Sequence, residues 1–194
     1  MDSPTELPQE LVEQFVIAAH GDLGRVQELY AVHPGLLDAT WQKLDETAIQ
    51  AAGHTGQRRI AEFLLAEGAP LNVYAAAMLG LRDRVAAFLE REPALAATPG
   101  VHGISLMFHA AMSGDPAVAE LVLGGGGGGS IDAALHGAAR FGHAAMVEWL
   151  LGHGVEDINV LNFEHKTPLQ VARKHGHHAV VDLLLRHGAA TGEA

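Results

Sequence analysis

Apolar residues in this chain recur at helical spacing in short bursts, and each burst is closed by a glycine. The clearest stretch is Thr167–Ala189, TPLQVARKHGHHAVVDLLLRHGA. Leu169 and Ala172 lie on one face of a first helix. After Gly176, Val180, Val181, Leu184 and Leu185 form one stripe at i, i+1, i+4 and i+5. Thr167 stands where an N-cap hydroxyl satisfies orphan N–H groups, and Pro168 follows where a missing N–H costs nothing. Gly188 closes the second helix in the left-handed conformation. The pattern predicts two short helices joined by a tight turn. A unit this small cannot bury its own stripe, so it must stack on copies of itself.

Copies are present. Ala138-Ala139-Arg140-Phe141-Gly142-His143 repeats Ala172-Arg173-Lys174-His175-Gly176-His177. Upstream stand Ala110–Asp115, Ala76–Gly80, Ala52–Gly56 and Ile17–Asp22, each containing its own anchor glycine. Five residues beyond each anchor comes an apolar residue: Val26, Ala61, Val85, Ala119, Val147 and Val181. The period, about 33 residues, and the slots filled by Thr167-Pro168-Leu169-Gln170, Thr47-Ala48-Ile49-Gln50 and Ala134-Leu135-His136 make the chain resemble the ankyrin-repeat family. The resemblance implies an all-α ankyrin-repeat solenoid of stacked helix-turn-helix units with a few short β-hairpin or loop fingers. It predicts a single domain over 1–194, with copies near 8–40, 41–70, 71–98, 99–129, 130–160 and 161–190.

The anchor glycines fall at 21, 56, 80, 114, 142 and 176, with gaps of 35, 24, 34, 28 and 34 residues. The second and fourth junctions are therefore too short for a finger. Pro70 is expected to begin the third copy's first helix. The fourth junction is bridged by Gly124–Gly129, with Ser130 or Asp132 as N-cap. Long loops remain at His33–Glu46, Glu92–Ile104 and Gly154–Lys166. Two of them open alike, on His33-Pro34 and Glu92-Pro93. The array reads as three double copies, each carrying one finger. Gln14, Glu10 and Glu13 give the first copy a polar face, and Arg173 and His178 do the same for the last, as terminal caps require.

Composition narrows function by exclusion. The chain has 194 residues and a formal net charge of −11. Up to Ala97 there are 14 acids against 7 bases, and beyond it 9 against 5. Both halves repel phosphate backbones and anionic membranes, so neither nucleic acid nor membrane is an expected partner. No cysteine is present, which fits a reducing, cytoplasmic setting. The N-terminus is acidic and is not read as a signal peptide. No apolar run approaches the roughly 18 residues of a membrane span.

Thirteen histidines raise the question of metal or catalysis. His175, His177 and His178 do not share a helix face, and no H-E-x-x-H spacing occurs. In the resembled family, histidine after the anchor glycine (His143, His177) and at the fourth signature place (His136) bonds neighbouring loops. The hexaglycine lacks the Lys-Ser/Thr that a phosphate loop requires. It reads as a flexible connection. No serine sits in a nucleophile-elbow setting. No catalytic residue, cofactor or metal is expected, and the chain is not read as an enzyme.

The resemblance implies that residues before the anchor glycines, together with the finger tips, line a groove that binds another protein. Carried over by position, the set is Trp41, Lys43, Leu44 and Glu46 from the first finger, with His54; His102 and Ile104 from the second, with Met112; and Phe163, Glu164 and Lys166 from the third, with Arg140, Phe141, Lys174 and His175. The expected protein is a monomeric adaptor or inhibitor without catalysis. The alternative is small-molecule or metal binding by the histidine-rich groove.

Overall fold

The structure is a computed structural model that describes residues 7–191. Among them are twelve α-helices in six pairs: α1 (Gln9–Ala18) with α2 (Leu23–Val32), α3 (Ala48–Thr55) with α4 (Arg58–Ala66), α5 (Val73–Leu79) with α6 (Arg82–Arg91), α7 (Leu106–Ser113) with α8 (Pro116–Gly124), α9 (Ile131–Phe141) with α10 (Ala144–Gly152), and α11 (Pro168–Lys174) with α12 (His178–Arg186). Two compact units are formed, Met1–Ala75 and Ala76–Ala194. In the first, α1 packs on α3 and α2 on α4. In the second, α7, α9 and α11 pack in series, and so do α8, α10 and α12.

The turns between paired helices show why glycine anchors each copy. Gly56, Gly80, Gly114, Gly142 and Gly176 all have φ between 73° and 76°. That left-handed conformation is nearly closed to residues with a Cβ. After Gly56, Gly80, Gly142 and Gly176, the next N–H returns to the carbonyl of the alanine four residues before the glycine, as in His177 N–H to Ala172 O at 3.0 Å. This is the Schellman closure. Gly21 is the exception. It has no positive φ, and the following Asp22 N–H closes on Ala18 O instead. Ile17, which the repeat places inside, is exposed as a result. Gly188 adopts the expected left-handed conformation.

Capping follows local chemistry. Thr167 and Gln170 exchange hydrogen bonds, Gln170 N to Thr167 Oγ1 and Thr167 N to Gln170 Oε1, and Thr47 with Gln50 forms the same reciprocal box. The third copy departs from expectation. Its helix α5 begins at Val73 rather than Pro70, and the Asn72 side chain accepts from Ala75 N–H at 2.8 Å. A side-chain acceptor satisfies an orphan donor there, which proline cannot do.

The core consists of small and branched residues. Phe15, Val26, Ala61, Leu64, Val85, Ala119, Val147, Leu169 and Leu184 are fully enclosed. Three fingers appear at the three long gaps, and each tip holds one non-glycine residue at positive φ: Asp45, His102 and His165. The first finger alone among the described residues pairs as strands, β1 (Thr40–Trp41) with β2 (Glu46–Thr47), Thr40 opposite Thr47. The other two close without strand pairing, through bonds such as Gly100 N to Ile104 O at 2.8 Å and Asn162 N to Lys166 O at 3.0 Å. The two alike openings become matching 3-10 helices, Pro34–Asp38 and Pro93–Ala96.

The hexaglycine run is not a free linker. Its second half forms a 3-10 helix, Gly127–Ser130, and Gly127 is buried. A Cβ on Gly127 would lie 2.5 Å from Ala96 O and from Val122 Cγ1, and one on Gly125 would lie 2.7 Å from Ala96 Cβ. Glycine is required here by close approach to the neighbouring 3-10 helix. Asp132 does not cap α9, since it lies inside the helix and binds the third finger.

Candidate protein-binding surface

The second unit presents its surface from a repeated joint. His143 Nε2 lies 3.1 Å from Met112 O, and His177 Nε2 lies 2.9 Å from Arg140 O. A carbonyl only accepts, so each imidazole donates from Nε2 to the copy before it. Each ring also covers that copy's anchor glycine. A Cβ on Gly114 would sit 2.6 Å from His143 Nδ1, and one on Gly142 2.5 Å from His177 Nδ1. The histidines after the anchors are thus structural joints, as the resemblance implied.

The third finger is tied down by its backbone. The Asp132 carboxylate accepts from Glu156 N–H at 2.9 Å and Asp157 N–H at 3.2 Å. His136 Nε2 donates to Val160 O at 3.0 Å. Asn159 Oδ1 accepts from Ala190 N–H at 2.7 Å. At the tip, Asn162 Oδ1 accepts from both Glu164 N–H and Lys166 N–H at 2.9 Å. With its backbone held, the finger turns its side chains outward. Phe163 is 90% exposed.

Five predicted residues converge beside this tip. Glu164 Oε2 pairs with Lys174 Nζ at 3.5 Å, joining finger to α11. The Arg140 guanidinium lies 5.8 Å from the Phe141 ring centre. The His175 ring stacks on His177 at 6.1 Å. Its pKa is lowered, first by partial desolvation and then by the positive charges of Arg140, Lys174 and His177, with Glu164 opposing. Arg140, Lys174 and Lys166 are exposed, and Phe141 is half-buried. In an acidic chain this is a local basic and aromatic patch.

Other predicted residues lie elsewhere. Lys43, Leu44 and His102 are exposed, and Ile104 and His54 are partly so. Trp41, Glu46 and Met112 are buried and offer no free surface. Trp41 packs inward because its register places it opposite Glu46 on a hairpin clamped by Gln9, whose Nε2 donates to Thr40 O and whose Oε1 accepts from Gln42 N–H. Met112 lies on α7 against α9, beside the glycine at 137. Glu46 is drawn in by histidines. His54 Nε2 lies 2.8 Å from its Oε1, and His20 Nε2 lies 3.8 Å from its Oε2. The two rings meet edge to face at 5.1 Å. His20 was not among the predicted site residues. Its signal was its position, the groove slot one copy before His54.

An array of helix pairs joined by left-handed glycines, with loop fingers between copies, defines a repeat protein. Residues 106–193 match the family model described as ankyrin repeats (3 copies), and this match supports an ankyrin-repeat protein. Ankyrin repeats are generally protein–protein interaction modules, and the family is typically non-enzymatic. No curated protein matches the chain. Among the described residues, no helix is long and apolar enough to cross a membrane.

Proposed function

We propose that this protein is a non-catalytic adaptor or inhibitor that grips a protein partner through Arg140, Phe141, Phe163, Glu164, Lys166, Lys174 and His175. The observation that carries this reading is Phe163, almost wholly exposed on a finger whose backbone is held at three points by Asp132 and His136, with Asn159 and Glu164 adding side-chain ties. A large apolar ring on an ordered loop loses little conformational entropy when a partner covers it, which is how interface anchors act. Basic neighbours select an acidic or mixed-charge partner surface and make association weaken as salt rises. The first finger, through Lys43 and Leu44, and the second, through His102 and Ile104, each offer further contacts. The protein works as a monomer in the cytoplasm, without nucleic acid or membrane.

The test is a matched pair of double variants. Arg140→Ala with Phe141→Ala removes the patch, while Glu148→Ala with Asp182→Ala removes exposed charges from α10 and α12. Both should keep the parent's helical signal. A stoichiometric partner captured by the parent should be lost by the first variant alone, and its affinity for the parent should fall with ionic strength. Equal capture by both variants would place the site elsewhere.

A further inference from the structure

We propose that His20, Glu46 and His54 form a divalent transition-metal site, with zinc as the best-matched ion. The inference does not rest on the recognition surface above. The donor atoms, His20 Nε2, His54 Nε2 and a Glu46 oxygen, lie within 4.8 Å of one another. Around a tetrahedral zinc with bonds of about 2.0–2.2 Å, donors sit roughly 3.3–3.6 Å apart. His54 Nε2 lies 2.8 Å from Glu46 Oε1 and His20 Nε2 lies 3.8 Å from Glu46 Oε2, so each histidine stands near that spacing from one oxygen of the same carboxylate. Shifts of about half an ångström would seat an ion.

Proton placement supports the assignment. His20 Nδ1 lies 2.9 Å from Val16 O. The carbonyl can only accept, so Nδ1 carries hydrogen. With Nδ1 engaged on the carbonyl, Nε2 is the nitrogen that faces the Glu46 carboxylate. An N–H to backbone carbonyl bond on the far side is the contact that orients ligating histidines.

Burial adds a second argument. The Glu46 side chain has no exposed surface, and a buried carboxylate needs a cation. Two imidazoles and one carboxylate suit zinc, whereas magnesium and calcium prefer all-oxygen sites. Three protein ligands leave a fourth position open. His20, one-third exposed, turns that position toward solvent, where water or a donor from another molecule can complete the sphere.

The chain sequence explains how distant residues meet. His20 follows α1 just before Gly21, His54 sits two residues before Gly56, and β2 carries Glu46 immediately ahead of the Thr47 cap. Stacking of α1 on α3 brings the histidines together, and the finger inserts the carboxylate.

The experiment uses the full chain after chelator treatment. Zn2+ is titrated against a chromophoric competitor, and Co2+ is followed by visible absorption. One tight equivalent and an intense four-coordinate cobalt spectrum are expected. His20→Ala and Glu46→Gln should each weaken zinc by about a hundredfold or more, beyond the loss seen when only a supporting partner is removed. The His178→Ala variant should bind like the parent. Circular dichroism and Trp41 fluorescence check folding. Should Glu46→Gln not fold, the exposed His20→Ala variant decides. The proposal is overturned if the parent binds no stoichiometric zinc, if His20→Ala binds as tightly, or if binding is lost in His178→Ala and is therefore adventitious.

Discussion

The first and third fingers share a plan and end as opposites. Both are long loops between helix pairs, and both turn on a non-glycine residue at positive φ. In the first, neighbouring copies supply His20 and His54, which take hold of a side chain, Glu46. In the third, they supply Asp132 and His136, which take hold of backbone groups. Holding a side chain consumes it, and the first finger's chemistry turns inward. Holding the backbone frees the side chains, and Phe163, Glu164 and Lys166 face solvent. Which polar residue stands on the helix beside a finger therefore decides whether that finger builds or binds.

The largest effect tests the inward finger. Glu46→Ala should destabilise the first unit by about 3 kcal/mol, the low end of the range for removing one partner from a buried ionic set. The chain's two tryptophans fall one in each unit, Trp41 and Trp149, so denaturation followed in single-tryptophan variants reads the units separately. The Trp41 transition should move and the Trp149 transition should not. A shift below about 0.5 kcal/mol would mean that Glu46 does not hold the hairpin.

A smaller loss is expected at the outward finger. Asp132→Ala should cost about 1–2 kcal/mol by freeing two backbone donors. It should also raise hydrogen exchange at Glu156 and Asp157 while leaving β1 and β2 unchanged. If exchange there stays at parent rates, the carboxylate is not the tether.

Acid should loosen the same finger. Burial lowers the His136 pKa below the usual 6.5, opposed by the bond to Val160. His136 is therefore neutral in the fold, with Nε2–H donating and Nδ1 lacking a hydrogen-bond partner. The unfolded chain binds the proton more readily. The stability tied to neutral His136 is complete above about pH 6.5 and is lost as pH falls from there through the folded pKa. His136→Gln should flatten that slope in the Trp149 transition. His175, lowered as well, contributes in the same sense and remains in the variant. An unchanged slope would remove His136 from the account.

The least effect on stability should come from Phe163→Ala, within about 0.5 kcal/mol because the ring touches little in the free protein. Binding should report it instead, with a loss of at least about 1 kcal/mol for the partner found by capture. A destabilised fold with intact binding would reverse the roles assigned to the two fingers.

Much of this architecture was legible because it is local. The cap at Thr167, the glycine anchors and the missing fingers at the short gaps all follow from residues within a few positions of one another. The site was less legible. Trp41, Met112 and Glu46 occupy positions that face a groove in the family, yet side chains far away in sequence draw them inside. Glu46 meets His54 and also His20, 26 residues upstream, and no spacing rule links a groove slot in one copy to a finger in the next. The hexaglycine misled for a related reason. Its composition suggests flexibility, while its need for glycine comes from Ala96 on another copy.

The imidazoles covering Gly114 and Gly142 also constrain how this chain can change by mutation. Gly142 and His177 form one lock, and Gly114 and His143 another, because any Cβ on the glycine would strike the ring. Gly176 has nearly the same φ as Gly142, but nothing lies within 4 Å of where its Cβ would stand. Alanine at 176 meets backbone strain alone, whereas alanine at 142 meets strain and a collision. The collision is relieved only if His177 changes as well. Substitutions at these joints are thus epistatic in pairs one copy apart: the residue tolerated at an anchor depends on the residue that follows the next.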